Sequence, residues 1–399
     1  MHILFLSPRF PLPPIKGDKL RAWQFIRLLS KHCRVTLLTY IETPEEYERM
    51  AEMEQYCAVT ALPFARPQRA AGMFRALAAR RPFQAALFES REMKQEVKRL
   101  LGNVDAIHCN TLRIAGNVPA DCSVPVVVDF IDALSTTYDQ AARSSHFPLS
   151  NAFRGELRRL KAWQAELVER AALSMAVSPA DARALGPGVE VVRHSVDTHA
   201  FSPPPPDEPR AREIVFTGNL SYRPNVEAAH FLATKVFPLT RELAPGARLR
   251  IVGADPRHSV EALASDHIEV TGFVPDMPAV LRRAGVAAAP LTSGSGVKTK
   301  VLEAMSCGAP VVATPFANEG IDAEDGRHLL LAEEAEEFAR QAASLLNDPK
   351  QAAVLGRAGR QFIEDEFSWE SAGARLWSLY SRIAPRPVLD ESAAPGEAG

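Results

Sequence analysis

Lys298, Lys300 and Glu303 stand directly behind a loop that carries Gly294 and Gly296. Two ammonium groups, two glycines and a carboxylate in this order are a place for a phosphorylated ligand. Glycines let the backbone approach, the unpaired amides of a helix start point outward, and the helix dipole favours negative charge. A carboxylate in the second helical turn can accept hydrogen bonds from two vicinal hydroxyls of a ribose. Together these ask for a nucleoside diphosphate. The same residues also admit a structural reading, an ordinary βα unit whose glutamate suits the dipole. The spacing is not that of a Walker A loop, because Gly296-Val297-Lys298-Thr299 separates glycine from lysine and lacks the upstream glycine.

The elements that must position these residues are legible around them. Val286 to Leu291 is a short apolar run ending in Pro290 and Leu291, as expected of a buried strand in a parallel sheet. The loop Thr292 to Val297 follows, and Lys298 to Ser306 places Val301, Leu302 and Met305 at helical spacing before a glycine C-cap at Gly308. Pro310 to Thr314 reads as the next strand.

The run VLEAMSCGAPVVAT resembles the signature of retaining GT-B glycosyltransferases of family 4, in which a glutamate binds the nucleotide of a sugar donor. The family usually has two glutamates eight positions apart, and the partner of Glu303 falls at Ser295. That departure leaves the nucleotide role of Glu303 in place and opens the question of how the donor sugar is held. The resemblance implies a donor-binding set of Glu303, Lys298, Gly294, Ser295, Gly296, Val297, Thr299 and Leu302. It extends to GNLSYRPNVEA, similar to the family's G-x-L loop at the donor diphosphate, which adds Gly218, Asn219 and Arg223. A leaving nucleoside diphosphate gains negative charge in the transition state, and fixed cations lower that barrier. With no Asp-x-Asp metal motif in the chain, no metal and no cofactor are expected, and Lys298 and then Arg223 are the cations chosen for the task.

The first half of the chain starts as a βαβ unit: Ile3 to Leu6, an amphipathic helix with Ala22, Phe25, Ile26 and Leu29 on one face, and Val35 to Tyr40. Gly17, in the loop before that helix, corresponds to the Gly-Gly loop of the family, its second glycine replaced by Asp18. A strand ends in DAIHC and another in VVDFID, so His108, Asn110, Asp129 and Asp132 are expected at carboxyl ends of strands, where ligands gather in open α/β sheets. The resemblance makes His108, Asp132 and Gly17 the catalytic-side candidates, with Asp129 or Asp132 orienting an acceptor hydroxyl. From Arg66 to Leu101 the chain is basic and amphipathic, read either as helices with a core face or as a surface for an anionic bilayer.

Composition bounds the rest. The 399 residues suit two domains, and a formal charge of −2 gives no reason to expect nucleic acid as a partner. The cysteines Cys33, Cys57, Cys109, Cys122 and Cys307 form no C-x-x-C pair, and no apolar run has the length of a membrane span, so a cytoplasmic location is expected. The expected plan is α/β: a Rossmann-like acceptor-side domain over 1–200, with HSVDTHAFSP similar to the family's interdomain passage. A Rossmann-like nucleotide-sugar domain covers 207–368, a terminal helix over 369–383 crosses back, and 384–399 is a disordered tail. The resemblance implies an active site in the cleft of this GT-B arrangement.

The function expected is transfer of a sugar from a nucleotide diphosphate donor, with retention, to a glycan or lipid-linked acceptor. Exopolysaccharide assembly is the setting implied by the resemblance to exosortase-associated sugar transferases, with peripheral contact at the inner membrane surface. A GT-B epimerase and a non-catalytic GT-B nucleotide or glycan binder stand as alternatives. A dehydrogenase is disfavoured, since no G-x-G-x-x-G links strand and helix.

Overall fold

A computed structural model describes residues 1–14, 17–64, 81–205, 208–294 and 296–383. Ser295, much of the basic Arg66 to Leu101 stretch and the tail expected over 384–399 lie outside the described residues. The chain separates into two compact units, one formed by Met1–Val192 with the segment from Gly373, the other by Arg193–Ala372.

The first unit is built on β1 (His2–Ser7), β2 (Arg34–Ile41), β3 (Ala58–Pro63), β4 (Ala106–Asn110), β5 (Val126–Ile131), β6 (Leu173–Ala176) and β7 (Val189–Val191). They form one parallel sheet in the order β3-β2-β1-β4-β5-β6-β7. Helices cover a parallel sheet on both faces, so its strands carry apolar runs and not alternation, and Ile3, Leu4, Phe5 and Leu6 are all fully buried. The helix α1 (Gly17–Ser30) follows β1 and turns Ala22, Phe25, Ile26 and Leu29 inward, the face given by their spacing. After β5 come α2 (Leu134–Ser144) and the long α3 (Leu149–Arg170), then α4 (Pro179–Leu185). Ser178 caps α4 by accepting the Asp181 amide, with Pro179 at the first helical position.

The second unit repeats the plan with β8 (Glu213–Thr217), β9 (Arg248–Val252), β10 (Ile268–Val270), β11 (Val286–Ala289), β12 (Val311–Ala313) and β13 (Leu330–Leu331). Their order is β10-β9-β8-β11-β12-β13, again all parallel. The helix expected over 225–237 is longer and interrupted. Helix α5 (Arg223–Phe231) runs into a π-helical turn, Leu232–Val236, and then into Phe237–Leu243. Pro238 has no amide hydrogen to donate back into the preceding turn, and the widened turn absorbs the missing bond. Helix α6 (Thr299–Ser306) follows β11 and stops at Gly308, which has φ +63°. The last helix, α7 (Trp369–Ile383), contributes its part from Gly373 to the first unit, where Trp377 stacks on His32 with ring centroids 4.8 Å apart.

Candidate functional site

In the second sheet the strand order reverses at β8 and β11, so the loops that leave these two strands diverge and open a crevice at the carboxyl edge. The Gly218 loop leaves β8, and the loop 290–298 leaves β11. A Cβ placed on Gly294 would stand 3.4 Å from the Tyr222 hydroxyl, so the two loops meet there.

Lys300, in the first turn of α6, points back to the β8 loop. Its Nζ donates to Asn225 Oδ1 at 2.7 Å and lies 4.5 Å from the centroid of the Phe216 ring. Asn225 Nδ2 donates in turn to the Asn219 carbonyl at 2.8 Å. A Cβ on Gly218 would stand 2.6 Å from the Lys300 ammonium, so at this position glycine is what lets the lysine reach the loop. Gly218 (φ +155°) and Gly253 (φ +157°) also pass so close that a Cβ on Gly253 would overlap the Gly218 carbonyl oxygen. Lys298 is buried, donates to the Gly296 carbonyl at 2.6 Å and sits 4.4 Å from the centroid of the Phe316 ring.

Burial governs the electrostatics. It pushes Lys300 down to about 7, against the opposing pull of Glu303, with Lys298 lowering it further. Glu303 is pushed up to about 6 by burial, opposed by Lys300. Lys298 is lowered by burial, opposed by Glu319. Two ammonium groups and a helix start, all partly desolvated, make a strong site for a multivalent anion.

Of the other donor-side candidates, Gly294 and Gly296 have φ of +123° and +70°, conformations that favour glycine. Val297 is half-buried against the core and Thr299 is exposed at the start of α6. Leu302 is a core residue, 1% exposed, so its side chain does not line the crevice. Arg223 does not join Lys300: its side chain is exposed and paired with Glu227 one helical turn on, at 2.7 Å. Asn219 is exposed, with Nδ2 on Asp255 at 3.2 Å and Oδ1 accepting from the Ser221 amide and hydroxyl. Asn225 and Phe216 escaped the sequence reading. Asn225 had a signal, a polar residue three and four positions ahead of the buried Ala228 and Ala229, on the inner face of its helix.

The first unit places its candidates less evenly. His108 lies inside β4, not beyond it, and is 0% exposed. Its ring stacks on Phe5 at 4.2 Å, and Nδ1 lies 2.6 Å from the Tyr380 hydroxyl. Inward strand positions of a covered sheet are core, which is why a histidine read as reaching a ligand is instead a buried hydrogen-bonder. Asp129 is likewise 0% exposed and engaged by Arg21, Nε to Oδ2 at 2.5 Å and Nη2 to Oδ1 at 3.1 Å. Asp132 does follow the end of β5. It is half-buried, and burial raises its carboxyl, opposed first by Arg113. Gly17 begins α1 with open space around it. Thr111 (φ +78°) and Ile131 (φ +66°), at the carboxyl ends of β4 and β5, hold conformations that side chains rarely adopt. For a β-branched isoleucine this is true strain, and such strain clusters at functional edges.

Residues 211–348 match the family described as Glycosyl transferases group 1. The chain is 31% identical over 226 residues to a GDP-mannose-dependent alpha-(1-6)-phosphatidylinositol monomannoside mannosyltransferase of Mycolicibacterium smegmatis, covering 50% of this chain and 58% of that protein. It is 27% identical over 228 residues to an alpha-maltose-1-phosphate synthase of the same organism, covering 49% and 57%. The chain thus spans less than two thirds of the length of the curated relatives it matches. Among solved structures, Anabaena HepE in complex with UDP superposes with a TM-score of 0.69 at 17% identity, covering 96% of this chain and all of that one. TarM superposes at 0.65 with 10% identity, covering 95% and 98%. With its two Rossmann-like sheets the chain has the GT-B fold. The segment that matches the glycosyl transferases group 1 family lies in its second unit.

Proposed function

We propose that the protein transfers a sugar from a nucleoside diphosphate donor to an acceptor hydroxyl with retention of anomeric configuration, in the assembly of a cell-surface glycan at the cytoplasmic side of the membrane. The observation that carries this reading is the Lys300 ammonium held at the Gly218 loop, one helical turn ahead of the largely buried Glu303. Lys300, Lys298 and the first-turn amides of α6 receive the diphosphate. As the bond to the sugar breaks, they stabilise the charge that grows on the leaving oxygens. The Glu303 carboxylate accepts from the ribose hydroxyls. In the first unit, Gly17 and Asp132 take the acceptor side, while His108, having no exposed surface, acts only through the packing of β4.

The match to mannosyltransferases that act on phosphatidylinositol mannosides favours a hexosyl donor and a lipid-linked acceptor. Calorimetric titration with UDP-, GDP- and ADP-sugars, alongside the Glu303→Ala variant, tests the reading. Selective binding that the variant loses supports it and names the base; no binding to either protein ends it. Binding without turnover is a second reading, favoured by the buried position of His108, and a transfer assay that follows the anomer of the product separates the two.

A further inference from the structure

Strand β5 ends in a bulge. Asp129 pairs with Met175 of β6 and Ile131 with the next residue, Ala176, so Phe130 is the extra residue and the strand kinks there. Ile131 holds φ +66°, a conformation that a β-branched side chain resists, so a local contact must keep it there. The Asp129 carboxylate supplies that contact: Oδ1 accepts from the Ile131 amide at 3.2 Å. Asp129 is fully buried, and a carboxylate so placed needs a cation. Arg21, also 0% exposed, provides it from α1, with Nε on Oδ2 at 2.5 Å and Nη2 on Oδ1 at 3.1 Å.

Buried ion pairs are a poor source of stability, since apolar side chains of like volume usually serve as well. What an apolar pair cannot do is bond the Ile131 amide. Asp132 is the next residue in the chain, and Arg21 lies one helical turn after Gly17. The pair therefore links the two segments that carry the acceptor-side residues. Burial raises the Asp132 carboxyl, Arg113 opposes it, and Asp181 and Asp18 add to the rise, so the end of β5 and the start of α1 lie within electrostatic reach. Were Ile131 to relax to an extended conformation, side-chain alternation would carry Asp132 to the face of Phe130, which belongs to the core.

We infer that Arg21 and Asp129 are positioning residues for the transfer reaction, acting through the kink at Ile131 to hold Asp132 at the carboxyl edge of the first sheet, toward the start of α1. This rests on the acceptor-side role proposed for Asp132.

The test compares variants of the full chain in donor titration and in transfer to octyl α-mannoside, a minimal stand-in for a lipid-linked hexose. Asp129→Asn keeps the shape of the site but sets an amide against the Arg21 guanidinium. Arg21→Met with Asp129→Leu removes both charges, and urea unfolding checks that it keeps the fold. In both, donor affinity is expected to stay at the wild-type value, because the donor residues lie in the second unit. The kcat of transfer falls about ten- to a hundredfold, the scale of a reacting group displaced by about an ångström, and the amides of residues 130–134 exchange hydrogen faster. Ile131→Gly added to Asp129→Asn is expected to return kcat toward wild type, since glycine takes a positive φ without an anchor. A purely structural pair would show no such rescue. The inference is overturned if the folded variants transfer as the wild type does, if exchange at 130–134 is unchanged, or if Ile131→Gly restores nothing. A wild-type chain that binds donor yet transfers nothing, or an Asp132→Asn variant that transfers at the wild-type rate, instead removes the acceptor-side role of Asp132 and the inference with it.

Discussion

The Lys300 ammonium donates to Asn225 Oδ1 at 2.7 Å, tying the first turn of α6 to the start of α5 across the point where the second sheet reverses its order. Lys300→Ala removes the cation that the Gly218 loop receives and is expected to weaken nucleoside diphosphate binding about ten- to a hundredfold, the scale of a charge-assisted hydrogen bond in a partly dry site. Asn225→Ala leaves the charge in place and only frees its direction, so a smaller loss is expected. Calorimetry with UDP and GDP measures both.

Donor affinity is expected to peak between the two shifted groups. A bound diphosphate raises Lys300 from its value of about 7, so above that pH the complex holds more protons than the free protein, and affinity falls as pH rises. Ribose hydroxyls favour the ionised Glu303, which in the free protein titrates at about 6, so affinity also falls as pH drops below that value. Titrations across this range, repeated in Lys300→Met, check the assignment. The variant should lose the alkaline limb and keep the acid one.

Gly253 and Gly272 both follow strands of the second sheet, yet their alanine variants should differ. A Cβ on Gly253 overlaps the backbone oxygen of Gly218, so the β8 loop must move, and a loss of more than about 3 kcal/mol of stability is expected together with the loss of donor binding. At Gly272 nothing stands within 4 Å and the strain comes only from φ +69°, for which about 1–2 kcal/mol is expected. Urea unfolding compares the two.

The buried His108 makes the first unit sensitive to acid. Burial lowers the imidazole from 6.5 to about 4, so between these values the unfolded chain takes up a proton that the folded chain refuses. Stability is expected to fall as pH drops through that window, by up to about 3 kcal/mol. Tyr380→Phe alone leaves Nδ1 without its partner and costs about 1–3 kcal/mol, whereas His108→Leu with Tyr380→Phe removes both polar groups and flattens the acid dependence. Urea unfolding at neutral and mildly acid pH measures the slope.

The sequence by itself determined the strands and helices around Lys298, Lys300 and Glu303, because periodicity, glycine stops and proline starts are local properties of the chain. The helix after β11 and its stop at Gly308 were readable for that reason, as was the inward face of α1. The resemblance of VLEAMSCGAPVVAT pointed to the fold that the two parallel sheets then displayed. Only the tertiary structure decided which polar residues reach a crevice and which enter the core. His108 and Asp129 lie on strands covered on both faces, where Phe5, Tyr380 and Arg21 come from distant parts of the chain to receive them. Arg223 turned to Glu227 at helical spacing, and Lys300 took its place at the Gly218 loop because β8 and β11, far apart in sequence, are neighbours in the sheet. Strand order is set by non-local pairing, and no window of residues carries it.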